Sequence, residues 1–144
     1  MDSRIDKVEN VLLEILRREV TGEDGTEKME LSVAGLNAVM RLAREHAVTG
    51  LVANAAMRNR IVIAGGAAED RGEAVMRLMQ QTMAHKQNQG RFEDAVGRFA
   101  RLMEENSIAY VVFKGLAVAR HYHEPLVRTR GDVDFVVPKS CYDR

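Results

Sequence analysis

A chain of 144 residues, 46% of them hydrophobic and 29% charged, is long enough to bury one real core and reads as one domain in two lobes. Its 21 basic and 21 acidic side chains cancel, which excludes a bulk field drawing the protein to nucleic acid or an anionic membrane, so any phosphate site has to be local. The single cysteine, Cys141, excludes an internal disulfide and a multi-cysteine zinc centre and fits a reducing cytoplasm, the expected location.

The opening Met-Asp-Ser-Arg-Ile-Asp lacks the basic start and apolar run of a secretory signal, so no export is expected. Ile5, Val8, Leu12, Ile15, Leu16 and Val20 recur at helical spacing, opposite Glu9, Glu14, Arg17, Arg18 and Glu19, which predicts an amphipathic helix ending in an exposed loop at Thr21–Thr26. Leu31, Leu36, Val39, Met40, Leu42 and Ala43 predict a second helix reaching His46. A third is expected from a Thr49 cap through Leu51, Val52, Ala55 and Ala56 to Met57. The apolar stretch Ala47–Ala68 is broken by Arg58 and Arg60, so a buried helix followed by a strand or turn at Ile61-Val62-Ile63 is expected, and no membrane span. Gly65-Gly66 is read as a plain turn, because it lacks the Gly-Lys-Ser/Thr ending of a P-loop and the spacing of a dinucleotide fingerprint.

From Glu69 to Asn106, Leu78, Thr82, His85, Gln89, Phe92, Val96, Phe99 and Met103 form one helical stripe with a polar middle. With Gly90 and Gly97 weakening it, the stripe predicts a bent helix inside a bundle, His85 being a hydrogen-bonded core histidine. The eight methionines are read as core filler. The periodicity then changes. Ile108–Phe113 is β-branched and aromatic, which predicts a strand buried on both faces and ended by Lys114-Gly115. A short helix Leu116–Tyr122 follows, stopped by His123-Glu124-Pro125, and Val133–Val137 makes a second strand closed by Pro138.

Side chains two apart on a strand share a face, so Asp132 and Asp134 are expected side by side, with Val133 and Phe135 turned to the core. Adjacent carboxylates repel unless one is protonated or a divalent cation lies between them, and oxygen ligands suit Mg2+ or Mn2+. Such an ion bridges nucleotide phosphates during phosphoryl or nucleotidyl transfer. Lys114-Gly115, at a strand end with a helix beginning at once, offers close backbone approach, free amides and a positive charge to a phosphate. Arg128 and Arg130 either clamp a triphosphate or simply pair with the aspartates. His121 and His123, two apart on an expected helix, face different directions and are not read as a metal pair.

The segment Tyr110-Val111-Val112-Phe113-Lys114-Gly115, then Tyr122, Pro125, Arg128 and Gly131-Asp132-Val133-Asp134-Phe135-Val136-Val137, resembles the uncharacterised nucleotidyltransferase family of the DNA polymerase beta superfamily. Leu42–Leu51 is similar to that family's leading helices. Superfamily members usually carry Gly-Gly or Gly-Ser where this chain has Lys114-Gly115. The resemblance also implies a third carboxylate on a later strand. With Asp143 too soon after Pro138, the expectation is a truncated, split or degenerate member.

Taken together, an α/β (α+β) fold is expected, with a helical region at 1–106 packed on the start of a small mixed nucleotidyltransferase-type sheet at 107–144. The expected function is metal-dependent transfer of a nucleoside monophosphate from an NTP to an unknown acceptor, such as a protein, an RNA end or a small molecule. Asp132 and Asp134 would hold the metal, with Lys114, Gly115, Arg128 and Arg130 at the nucleotide. The competing expectation is a non-catalytic nucleotide-binding or protein-interaction module on the same fold. Unpaired edges on strand Val133–Val137 add homo-oligomerisation as an expectation.

Overall fold

The computed structural model describes residues 3–22 and 28–141, with side chains from Lys7 onward. Most of the expected loop at 21–26, and Asp143, lie outside the described residues. The fold is α+β. Helix α1 (Ser3–Thr21) leads to strand β1 (Met29–Leu31), helices α2 (Val33–Glu45) and α3 (Thr49–Met57), strand β2 (Ile61–Ile63) and the long helix α4 (Ala68–Glu105). Strand β3 (Val111–Phe113), helix α5 (Gly115–Ala119), a 3-10 turn at Pro125–Val127, strand β4 (Asp134–Val136) and a second 3-10 turn at Lys139–Cys141 complete it.

The main core is helical. Leu12 and Ile15 of α1, Leu36, Val39, Met40 and Ala43 of α2, and Val52, Ala53 and Ala55 of α3 pack with Ile61, Ala74 and Leu78. Helix α3 is apolar apart from Thr49 and Asn54 and is buried from Gly50 to Ala55, as suits a helix at the centre of a bundle. The buried Glu19 carboxylate accepts hydrogen bonds from Asn54 and Arg60, each at 2.8 Å, so this acidic side chain is paired where it lies.

Several expectations are corrected. Leu31 belongs to β1 rather than to the second helix: β1 pairs in parallel with β2, Met29 opposite Ile61 and Leu31 opposite Ile63, with α2 and α3 as the crossover. Helix α2 is instead capped by Ser32, whose hydroxyl accepts from Gly35 N at 3.0 Å. Thr49 is the first residue inside α3, with Val48 at the cap and no side-chain capping bond. Among the methionines, Met40 is buried, but Met57, Met76 and Met83 are exposed and fill no core.

Three helices end in the same way without a glycine. After α2, Ala47 has φ +55°, its amide donates to Arg44 O, and Val48 N donates to Ala43 O. Asn59 and Arg60 repeat the pattern after α3, Ser107 and Ile108 after α4. These paired bonds satisfy the last carbonyls of each helix and turn the chain sharply back.

Helix α4 runs unbroken for 38 residues, about 57 Å at the standard rise, with Glu69 and Asp70 complementing its N-terminal dipole. Its first half packs on the helical core through Ala74 and Leu78. Its last turns carry Phe99, whose ring lies 5.5 Å from Tyr110 and 4.6 Å from Phe135 between centroids. Strands β3 and β4 are antiparallel, Val111 opposite Val136 and Phe113 opposite Asp134. Each strand is shorter than expected, and the strand pair is not buried on both faces: Val111 is 62% and Val136 53% exposed, because helix covers only the side where Phe99 packs.

Candidate active site

The site is assembled where β3 runs out and β4 begins. Phe113 is laddered to Asp134, so the next residue, Lys114, emerges beside that carboxylate, and its Nζ lies 3.2 Å from Asp134 Oδ1. The ammonium also stands 5.3 Å from the ring centroid of Phe113. The Lys114 backbone has φ +56° and ψ −121°, a region that glycine occupies freely and a lysine only at a cost. The turn thus takes a geometry suited to glycine while carrying a cation.

Gly115 opens α5, and a Cβ built on it would meet nothing within 4 Å; the same is true of Gly131. Neither glycine has a left-handed φ. Neither packing nor backbone torsion thus demands glycine at these two places, and both leave the main chain open to approach from outside.

Asp132 is exposed and precedes the ladder, which begins only at Asp134, so the two carboxylates are held differently. Asp134 is fixed by strand pairing and by Lys114. Asp132 stands on the approach to the strand with no ion pair among the described residues. Val133 is half-buried, while Phe135 remains partly exposed with its ring against Phe99.

The two arginines separate. Arg128 stacks its guanidinium 5.5 Å over the Tyr122 ring, and its Nε is buried without a hydrogen-bond partner. Arg130 turns to α4: its side chain is buried, donating from Nε to Gln89 Oε1 at 3.1 Å and from a terminal nitrogen to Glu93 Oε1 at 2.9 Å, while the other terminal nitrogen finds no partner. Neither arginine forms an ion pair with Asp132 or Asp134 among the described residues, so the simple pairing alternative is not what the fold adopts.

Helix α5 ends at Ala119, short of Tyr122, so His121 and His123 stand in a turn and both are exposed. Among the described residues no group of three or more His, Cys, Asp or Glu side chains converges on one point. Behind α5, spaces of about 260 Å³, reached by Glu93, Leu116, Arg120 and Arg130, and about 400 Å³, reached by Phe99, Tyr110, Val112 and Leu116, separate it from α4.

His85 makes the hydrogen bond expected of it, but sequence reading missed that α4 holds the segment before Asp132. His85 Nε2 lies 3.1 Å from Val127 O, Lys86 pairs with Glu124 at 3.2 Å, and Gln89 bonds Arg130. Their signal was the polar middle of an otherwise apolar stripe. Burial holds the His85 imidazole below its usual pKa, with the Arg130 charge acting in the same direction and the Val127 carbonyl opposing it. At the His85–Val127 contact a Cβ on Gly50 would fall 2.2 Å from Val127 O, so glycine there is a requirement of close approach.

A family model described as an uncharacterised nucleotidyltransferase matches residues 33–144. None of the curated proteins and none of the solved structures compared with the chain matches it. Among the described residues no helix is long and apolar enough to cross a membrane.

Proposed function

Since the chain belongs to the uncharacterised nucleotidyltransferase family, we propose that it serves metal-dependent transfer of a nucleoside monophosphate from an NTP to an acceptor hydroxyl, in the manner of the DNA polymerase beta superfamily. Under this reading residues 1–106 are a helical platform and 107–144 carry the candidate catalytic carboxylates. One observation carries it: Asp134 already holds a cation, the Lys114 ammonium at 3.2 Å, at a strand end where Asp132 stands exposed nearby.

The donor set fits a hard divalent cation. Both side chains offer carboxylate oxygens, without histidine or thiolate, which suits Mg2+ or Mn2+ held by one or two carboxylates with substrate phosphates and water completing the shell. Bound there, the ion would neutralise charge on the phosphates as the bond between the α-phosphorus and pyrophosphate breaks.

The chain's own residues then have separable tasks. Asp132 and Asp134 hold the cation. Lys114, released from Asp134, turns its ammonium to a phosphate oxygen, and the open backbone at Gly115 admits the phosphate chain. Arg128, stacked on Tyr122 with an unsatisfied Nε, is the nearer of the two arginines to this task in chemistry, whereas Arg130 acts from its bonds with α4.

The test is Mn2+- or Mg2+-dependent labelling of candidate acceptors, covering proteins, RNA ends and small hydroxyl compounds, with NTP labelled at the α-phosphate. Labelling that Asp134→Asn abolishes supports the reading. Nucleotide binding without labelling of any acceptor returns the non-catalytic binding module.

A further inference from the structure

We infer that Gln89, in the middle of α4, is a positioning residue for the carboxylate site, acting through the peptide groups of Arg130; the inference rests on the reading of Asp132 and Asp134 as metal ligands.

Between the 3-10 turn and β4 the chain has no sheet partner, and a buried peptide group without one is costly. Gln89 supplies what a neighbouring strand would. Its buried side-chain amide accepts from Arg130 N at 3.1 Å and donates to Arg130 O at 3.3 Å, and the same Oε1 accepts from Arg130 Nε at 3.1 Å. Both main-chain groups of one residue are thus read by one side chain lying 41 positions away in sequence. Only Gly131 then separates Arg130 from Asp132. Asp132 hangs between two anchors: Arg130, set by Gln89, and Asp134, set by the ladder with Phe113.

Helix α4 elsewhere buries Ala74, Leu78 and Thr82, the last with its hydroxyl donating to Leu78 O of the same helix, whereas Gln89 bonds only outside its helix, and an apolar side chain would fill its space more cheaply. Gln89 is explained by the orientation it imposes. Helical neighbours on the same face work alongside it, His85 on Val127 O and Glu93 on the Arg130 guanidinium, so the segment rides along one face of α4.

Gln89→Met keeps size and helix propensity and removes all three side-chain amide bonds to Arg130, whereas Gln89→Glu keeps the acceptor for Arg130 N. In the full chain, hydrogen exchange at the Arg130 amide and binding of Mn2+ alone are measured beside thermal unfolding. Gln89→Met is expected to lose about tenfold in Arg130 amide protection and about tenfold in Mn2+ affinity, with protection in α2 and α3 unchanged. Gln89→Glu is expected to keep that protection. Wild-type Mn2+ affinity and wild-type Arg130 protection in a folded Gln89→Met variant would overturn the assignment. If that variant does not fold, Gln89→Asn, which withdraws the amide by one methylene, carries the same comparison. Failure of the wild type itself to bind Mn2+ would overturn the metal reading instead, while exchange at Arg130 still decides whether Gln89 sets the segment.

Discussion

The Lys114 ammonium lies 3.2 Å from Asp134 Oδ1, one residue beyond the ladder that pairs Phe113 with Asp134. The Lys114 side chain is 67% exposed and that of Asp134 28%, so water and salt screen the pair and its contribution to stability is small, up to about 1 kcal/mol. A pair that adds so little to stability while occupying a candidate metal ligand is readily exchanged. Lys114→Met is therefore expected to raise Mn2+ affinity in the absence of nucleotide by a few-fold, roughly the value of a screened ion pair, and to lower NTP affinity. Calorimetric titration with Mn2+ and then with NTP checks both signs, and unchanged affinities would return Lys114 to an ordinary strand-end lysine.

The same residue stores backbone strain. With φ at +56° and ψ at −121°, Lys114→Gly relieves a torsion that costs a side-chain-bearing residue on the order of 1–3 kcal/mol, against loss of the weak ion pair and a floppier unfolded chain. The expected balance is a stabilisation of about 1 kcal/mol. It is read from the urea midpoint beside Lys114→Met, which keeps the strain and should not gain.

Asp132→Asn is expected to change stability by less than about 0.5 kcal/mol, because the side chain is exposed and unpaired among the described residues. Asp134→Asn should cost slightly more, through Lys114. Either change is expected to abolish Mn2+-induced broadening of neighbouring amide signals and to lower NTP-dependent labelling by orders of magnitude. Full labelling by both variants would remove them from the site.

Gly50→Ala should destabilise the fold, although alanine is the better helix former by about 1 kcal/mol. The added Cβ meets Val127 O at 2.2 Å and His85 Nε2 at 2.5 Å, and the first of these is backbone. Separating α3 from the 3-10 turn costs about 1–3 kcal/mol, as overpacking does, and breaks the His85–Val127 bond. Chemical denaturation and the His85 imidazole signal report the two effects separately.

His85 has its pKa lowered in the fold, by burial first, so the unfolded chain binds the extra proton more readily. The neutral ring's contribution is therefore fully present above the ordinary value of 6.5 and is lost as pH falls from there toward the folded-state pKa. Unfolding curves of wild type and His85→Gln between pH 7 and about pH 5 should converge as pH drops. Parallel curves would show that this imidazole does not couple to folding.

Much of this protein was readable before folding because the relevant physics is local. Helical spacing located α1, α3 and α4, and β-branched runs located β2 and β3. Lys114-Gly115 and Asp132-x-Asp134 raised the expectation of a phosphate-and-metal site, because residue type and near-neighbour spacing are visible in sequence. What depended on partners far along the chain was decided only by tertiary structure. Leu31 looked like the start of a helix until Ile63 came to lie beside it in parallel. Ala47, Asn59 and Ser107 end their helices at positive φ without the glycine that would have announced it, because the turn is held by backbone bonds that carry no side-chain signature. Arg130 reads as a phosphate ligand in sequence, but α4 passes close enough for Gln89 and Glu93 to claim its guanidinium. Periodicity can say that Gln89 faces inward; only the fold brings to that face the Arg130 peptide groups whose hydrogen bonds it completes.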